Sequence, residues 1–123
     1  MKKVLIVEDN VDISSNIGYM LSQLGYLAFV AKDGAEGIAM AKEKLPDVII
    51  MDLMLPDMMG GEVVSTIKKH SPCNGVPVIF LTALMSKEDA GEINTIMVDG
   101  KRYPALAKPF DFPQLLKIIE KQT

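Results

Sequence analysis

The stretch Val48-Ile49-Ile50-Met51-Asp52-Leu53-Met54-Leu55-Pro56-Asp57-Met58-Met59-Gly60 decides the fold. Four apolar residues run without alternation into an acid, followed by a proline and a glycine. A strand exposed on one face alternates apolar with polar residues. A strand covered on both faces does not, and such strands belong to parallel sheets sandwiched between helices. The same pattern lies upstream and downstream. Val4-Leu5-Ile6-Val7 ends in Glu8-Asp9, Val78-Ile79-Phe80-Leu81 ends in Thr82, and Ala105-Leu106-Ala107 ends in Lys108. Leu27 to Ala31 reads as a further short strand.

Helical spacing fills the gaps. Ile13, Ile17, Met20, Leu21 and Leu24 share one helix face before Gly25. Ile38, Ala41 and Leu45 mark a second helix before Pro46, and Val63, Val64 and Ile67 a third after Gly60-Gly61. The last helix begins at Asp111 as N-cap, with Pro113 in its first turn and Phe112, Leu115, Leu116 and Ile119 on one face. Strands alternating with helices predict an α/β fold: a doubly wound, five-stranded parallel sheet with helices on both faces. The chain of 123 residues suits one domain, residues 1–123, with no output domain expected.

Composition narrows the function. The chain is 49% hydrophobic and 24% charged, with a net charge of −3, so it is neither disordered nor built for direct nucleic-acid binding. Lys68-Lys69-His70, its densest basic run, reads as a solvated helix end. Cys73, the single cysteine, sits in a loop-like stretch and fits a reducing compartment. No apolar run approaches a membrane span, so a cytoplasmic protein without membrane insertion is expected. Of the nine methionines, Met51 reads as core. Met54, Met58 and Met59 crowd the loop after Asp52 and are expected to be partly exposed.

The chemistry lies where strands end. In open α/β sheets ligands bind in the crevice beyond the carboxyl ends of the strands. Glu8, Asp9, Asp52, Thr82 and Lys108 all fall there. Converging carboxylates repel one another, and hard oxygen donors of this kind suit Mg²⁺. A lysine and a hydroxyl facing the same crevice can neutralise and hydrogen-bond phosphoryl oxygens. The set is suited to phosphoryl transfer onto a carboxylate, with Asp52 as nucleophile. Each residue also has an ordinary use: Asp9 or Asn10 as a helix cap, Asp52 in a turn, Thr82 on local backbone, Lys108 on the surface. It is the ordered set that favours the chemistry.

These motifs resemble the receiver domain of two-component response regulators over essentially the whole chain. Glu8-Asp9-Asn10 is similar to the family's acidic segment, and Asp52 to Gly60 to its phosphoacceptor segment. Leu81-Thr82-Ala83 matches its switch hydroxyl, and Lys108-Pro109-Phe110 its lysine segment. The resemblance implies the flavodoxin-like sheet order 2-1-3-4-5 and a cis Lys108-Pro109 bond. It implies that Asp52 takes phosphate from a histidine on a kinase or phosphotransfer protein. Asp9, Asp52 and the Met54 carbonyl would bind Mg²⁺, with Glu8 acting through water. Lys108 would pair with the phosphoryl group, and Thr82 would hydrogen-bond to it and move. The implied product is a signalling domain, not an enzyme, that assists its own phosphoryl transfer and dephosphorylation. It would be a monomer or weak homodimer passing its signal to a downstream protein. In the family, side chains two residues after the acceptor and after the hydroxyl line the path of the hydrolytic water; here they are Met54 and Leu84, both apolar.

Two departures stand out. Where the family carries Tyr or Phe three residues before the lysine, this chain has Ala105; Tyr103 lies two residues earlier and reads as a packing aromatic. The stretch from Thr82 to Lys108 is longer than usual. Ser86-Lys87-Glu88-Asp89 resembles a helix start, yet Asp99-Gly100 between Ile96-Met97-Val98 and Arg102-Tyr103 reads as a hairpin. The family's fourth helix is therefore expected to be short or remodelled. Rival functions are weaker. An aspartyl phosphatase of the haloacid-dehalogenase type needs a second Asp where Met54 stands. A flavin binder needs a hydroxyl- and glycine-rich loop where Glu8-Asp9-Asn10 stands. A phosphorylation-independent interaction domain on the same fold is the remaining alternative, kept open by Ala105 and the altered fourth helix.

Overall fold

The computed structural model describes residues 1–83 and 93–122. Its elements run β1 (Lys3–Val7), α1 (Val11–Gln23), β2 (Leu27–Ala31), α2 (Gly34–Lys44), β3 (Val48–Asp52), α3 (Gly60–Lys68) and β4 (Val78–Thr82). β5 (Ile93–Val98), β6 (Lys101–Ala107) and α4 (Phe112–Gln122) complete the chain, and a 3-10 turn at Ser71–Cys73 precedes β4. The sheet order is β2-β1-β3-β4-β6-β5. The first five strands in that order pair in parallel, which is the expected 2-1-3-4-5 arrangement with β6 in the fifth place. β5 is the addition: it lies antiparallel on β6 at the end of the sheet.

The hairpin reading explains the addition. Val98 pairs with Lys101, leaving Asp99 and Gly100 as a two-residue turn with φ of 52° and 80°. Positive φ at both positions is the turn geometry whose twist matches flanking strands, and Asp-Gly suits it. The expected helix start at Ser86–Asp89 lies outside the described residues. Residues 93–98 are strand, as the hairpin reading predicts.

Because strand side chains alternate in direction, each buried strand feeds two cores. Leu5, Val7, Ile49, Met51 and Phe80 face one side and pack with Ala41, Val63, Val64 and Ile67 of α2 and α3. Val4, Ile6, Val48, Ile50, Ile79 and Leu81 face the other and pack with Ile17 and Leu21 of α1 and Leu115, Ile118 and Ile119 of α4. All five residues of β3 are buried, as are all five of β4, which is why their sequences do not alternate.

The helices start where capping chemistry allows. Asn10 accepts from the Ile13 amide at 3.1 Å, so it, and not Asp9, caps α1. Asp111 and Gln114 exchange reciprocal bonds, the Gln114 amide to Asp111 and the Asp111 amide to Gln114, both at 3.1 Å. Periodicity misplaced one residue. Leu45 is not on the α2 core face; it is the C-cap, left-handed at φ 48° and 46% exposed. The ring of Pro46 disfavours a helical conformation at the residue before it, so α2 stops there. Two other readings also change. Cys73 is buried and its thiol points to the Ala41 carbonyl at 3.5 Å. Lys68 is not a freely solvated helix end, since its ammonium donates to the carbonyls of Asn74 and Val76. Met51 is core, while Met54 and Met59 are 52% and 40% exposed.

Candidate functional site

The parallel register sets the site. β1, β3, β4 and β6 run the same way, so Glu8, Asp52, Thr82 and Lys108 arrive together at one edge of the sheet. Main-chain bonds fix their spacing: the Leu53 amide donates to the Leu81 carbonyl at 2.9 Å, and the Lys108 amide to the Thr82 carbonyl at 2.8 Å. The Lys108-Pro109 bond is cis, as the resemblance implied. Gly60 opens α3 against the acceptor strand, where a Cβ would stand 2.3 Å from the Asp52 carbonyl oxygen. No side chain fits there, and the glycine lets the loop close tightly behind Asp52.

Glu8, Asp52 and Thr82 are buried, and Asp9 is exposed at the mouth. One carboxylate oxygen from each of Glu8, Asp9 and Asp52 lies within 4.8 Å of the others. The Lys108 ammonium sits 2.7 Å from Glu8 Oε1 and 3.5 Å from Asp52 Oδ1. The other Glu8 oxygen, Oε2, accepts from the Asn10 amide at 3.2 Å. Burial is the main force on Asp52 and lifts its pKa from 3.8 to about 7. Glu8 adds to the rise by hydrogen-bonding the protonated form and by repulsion. Lys108 and the Met54 amide, 3.5 Å from Asp52 Oδ1, pull the other way. One lysine is too little positive charge for three converging carboxylates.

That imbalance is the test of fit for a cation. The donors are hard oxygens, one of them exposed to incoming solvent, and ionised Asp52 is disfavoured until positive charge arrives. Such a set suits Mg²⁺, which is held by one or two carboxylates and keeps several waters.

All five side chains singled out in the sequence are thus brought to one place, with the Met54 backbone beside them. Sequence reading missed two features. Glu8 pairs directly with Lys108, a contact across 100 residues that no local pattern signals. Asp57, in the loop after Asp52, accepts from the amides of Gly34 and Ala35 at 2.8 and 3.0 Å. An acid following Pro56 was its only sequence signal. Tyr103 is buried beside Phe80, ring centroids 5.9 Å apart and edge to face, while Ala105 pairs with Phe80 across the strands. Leu84, expected to line the water path, lies outside the described residues.

Known proteins with this arrangement are many. The model of the response regulator receiver domain matches residues 4–120. Protein PilH of Pseudomonas aeruginosa is 32% identical over 97% of this chain and 95% of its own length. Polar-differentiation response regulator DivK of Brucella anthropi is 31% identical over 97% and 94%. A probable transcriptional regulator of Guillardia theta, ycf27, is 41% identical, but the chain spans 42% of its length. Among solved structures, chemotaxis protein CheY4 of Vibrio cholerae superposes with a TM-score of 0.85 at 32% identity, covering 100% of this chain and 99% of that one. Response regulator TrrA of Thermotoga maritima, solved in complex with Mg²⁺ and BeF, gives 0.78 at 25% identity, covering 100% of both chains. A family match over nearly the whole chain, on a sheet whose strand ends carry the acidic cluster and the lysine, places this chain among the response regulator receiver domains, the phosphoacceptors of two-component signalling.

Proposed function

We propose that Asp52 accepts a phosphoryl group from a phosphohistidine on a partner kinase or phosphotransfer protein, and that the modified domain signals to a downstream protein. The observation that carries this reading is the placement of Lys108 3.5 Å from Asp52, with Glu8 and Asp9 gathered around the same carboxylate. A carboxylate oxygen of Asp52 attacks phosphorus, the P–N bond to imidazole breaks, and the imidazole leaves with the electron pair. The product is an acyl phosphate. Asp9, Asp52 and the Met54 carbonyl would hold Mg²⁺, with Glu8 acting through water. Bound there, the ion neutralises charge on the transferring oxygens. Lys108 turns from Glu8 to the incoming phosphoryl oxygens, and Thr82 supplies a hydroxyl at the neighbouring strand end.

The domain works as a signalling element that assists its own phosphorylation and dephosphorylation, as a monomer or weak homodimer in the cytoplasm. Among the described residues no helix is long and apolar enough to cross a membrane. Incubation with acetyl phosphate, with and without Mg²⁺, tests the reading. Labelling should need the metal and should vanish in Asp52→Asn. Equal labelling of that variant would place the acceptor elsewhere.

Two observations favour a second reading. Ala105 has no side chain to reorient, and a hairpin strand stands at residues 93–98. A phosphorylation-independent interaction domain on this fold would have both features. It would take no label and would bind its partner equally well with and without beryllofluoride.

A further inference from the structure

The loop between β3 and α3 carries Met54, whose backbone borders the acidic cluster, and it is tied at several points. At its base the Gly60 amide donates to the Leu53 carbonyl at 2.7 Å, and Met54 bridges to Met59. Nearer the tip the Leu55 amide donates to Met58 at 3.2 Å. The tip itself reaches a different element. Asp57 Oδ1 accepts from the Gly34 amide at 2.8 Å and Oδ2 from the Ala35 amide at 3.0 Å. The Met58 side chain packs where Gly34 has no Cβ; a Cβ there would lie 2.4 Å from Met58 Cγ.

The helix does not need this second acid to begin. Asp33 is its N-cap, accepting from the Glu36 amide at 2.8 Å. The remaining N–H groups of a first turn can be satisfied by water as well as by side chains. Here Asp57 gives both oxygens to two successive amides, a two-point attachment that fixes orientation as well as position. The positive end of the helix strengthens it, and the Asp57 carboxyl is accordingly held below its usual range by the Gly34 and Ala35 amides.

We propose that Asp57 is a positioning residue for the cation side of the acceptor site: by latching the loop tip to the first turn of α2, it fixes the Met54 backbone against Asp52. This rests on the reading above, in which the Met54 carbonyl is a Mg²⁺ ligand. Mg²⁺ demands near-ideal octahedral placement of its oxygens, so a ligand carbonyl on an unlatched loop binds it less well. Lys108 and Thr82 come from other strands and are untouched by the latch. Asp57 therefore governs the metal requirement and not the phosphoryl-handling residues.

The experiment is phosphorylation of the full chain by acetyl phosphate across a Mg²⁺ titration, for wild type, Asp57→Ala, Asp57→Asn and Asp52→Asn. Wild type that takes no label at any Mg²⁺ concentration refutes the function itself. If wild type labels and Asp52→Asn does not, the latch is tested separately. Asp57→Ala should weaken the binding of Mg²⁺ alone, titrated by calorimetry without acetyl phosphate, and raise the Mg²⁺ concentration for half-maximal rate, both on the order of tenfold, the usual scale for residues that orient a metal ligand. Its rate at saturating Mg²⁺ should stay near the wild-type value. Asp57→Asn, which keeps one acceptor oxygen, should fall between them. A merely structural role would lower the melting temperature and leave the half-maximal Mg²⁺ unchanged, which overturns the proposal. So does a fall in saturated rate with no change in metal requirement. Should the alanine variant fail to fold, the near-isosteric asparagine variant decides alone.

Discussion

Asp52→Asn should stabilise the metal-free protein, and by an amount that depends on pH. The substitution keeps the shape of the side chain and removes its charge. In the wild type Asp52 is buried beside Glu8, and its folded pKa stands at about 7 against 3.8 for an ordinary Asp. A raised folded value means that the unfolded chain releases this proton first. The stabilising contribution of Asp52 is therefore complete below 3.8, declines as pH rises, and is gone above about 7. At about 1.36 kcal/mol for each pH unit of that gap, the whole effect would be about 4 kcal/mol. Exposed Asp9 opens the site to solvent screening, so about 2 kcal/mol is the figure to expect. For a domain of this size that corresponds to a rise in melting temperature of roughly 8 °C. Thermal melts of both proteins in chelator, followed by circular dichroism from about pH 4 to about pH 8, measure it. The curves should nearly coincide at the acid end and separate as pH rises. Excess Mg²⁺ should reverse the order by stabilising only the wild type. Equal melting temperatures at the alkaline end, or a less stable variant there, would refute the view that Asp52 is held in the fold at a cost.

The same carboxyl makes Mg²⁺ binding pH-dependent: affinity should rise as pH climbs through about 7, with a proton released on binding, as calorimetry in buffers of different ionisation enthalpy would detect. Gly60→Ala should cost about 2 kcal/mol in chemical denaturation, because the new Cβ would meet the Asp52 carbonyl oxygen and the loop must move. Met54→Asn should shorten the acyl-phosphate lifetime several-fold, a barrier change of about 1 kcal/mol, since an amide can hold a hydrolytic water that an exposed thioether cannot; an unchanged or longer lifetime counts against this. Beryllofluoride should alter hydrogen exchange within residues 86–103, the hairpin included, and changes confined to the Asp52 loop would show that the signal leaves by another surface.

The sequence was most readable where one physical rule acts alone. Val48 to Met51 and Val78 to Leu81 are apolar without alternation because helices cover both faces. Asp111 announced α4 because a cap is a local bond, and Asp99-Gly100 announced a turn because positive φ favours that pair. The meeting of Glu8, Asp52, Thr82 and Lys108 followed from parallel strands ending at one edge. Contacts set by packing between distant segments stayed hidden. Nothing near Glu8 marks Lys108 as its partner, and nothing near Asp57 marks the first turn of α2. Leu45 kept the helical spacing yet lies beyond the helix, because Pro46 overrules periodicity. Lys68 reads as solvated in a basic run, but α3 lays it along the Tyr103 ring, 5.7 Å from the centroid.

Those last contacts bear on how a signal could leave the site. Tyr103 is edge-on to Phe80 and lies under two ammonium groups, Lys68 and Lys101 at 5.7 and 5.5 Å. A ring held on several sides is a poor rotamer switch, and Ala105 offers no ring at all. β6, however, links the site to the hairpin directly. Lys108 follows its last residue, Ala107 pairs with Thr82, and its first residue, Lys101, closes the Asp99-Gly100 turn. β5 and β6 pair along six residues of β5, so they move as a unit. The attachment of its turn end to α3 is slighter. It includes the Ser65 hydroxyl on Asp99 at 2.7 Å, an exposed bond worth about 1 kcal/mol, and side-chain packing by Ile96 and Val98. Between the continuous β5–β6 ladder, the buried packing of Tyr103 on the α3 side of the core, and one exposed hydrogen bond at the turn, the bond yields first. A displacement of Lys108 and Thr82 toward a phosphoryl group would then be relieved first at the Asp99-Gly100 turn, where the hairpin meets Ser65 of α3, while the β4–β6 ladder and buried Tyr103 hold the rest of the unit in place.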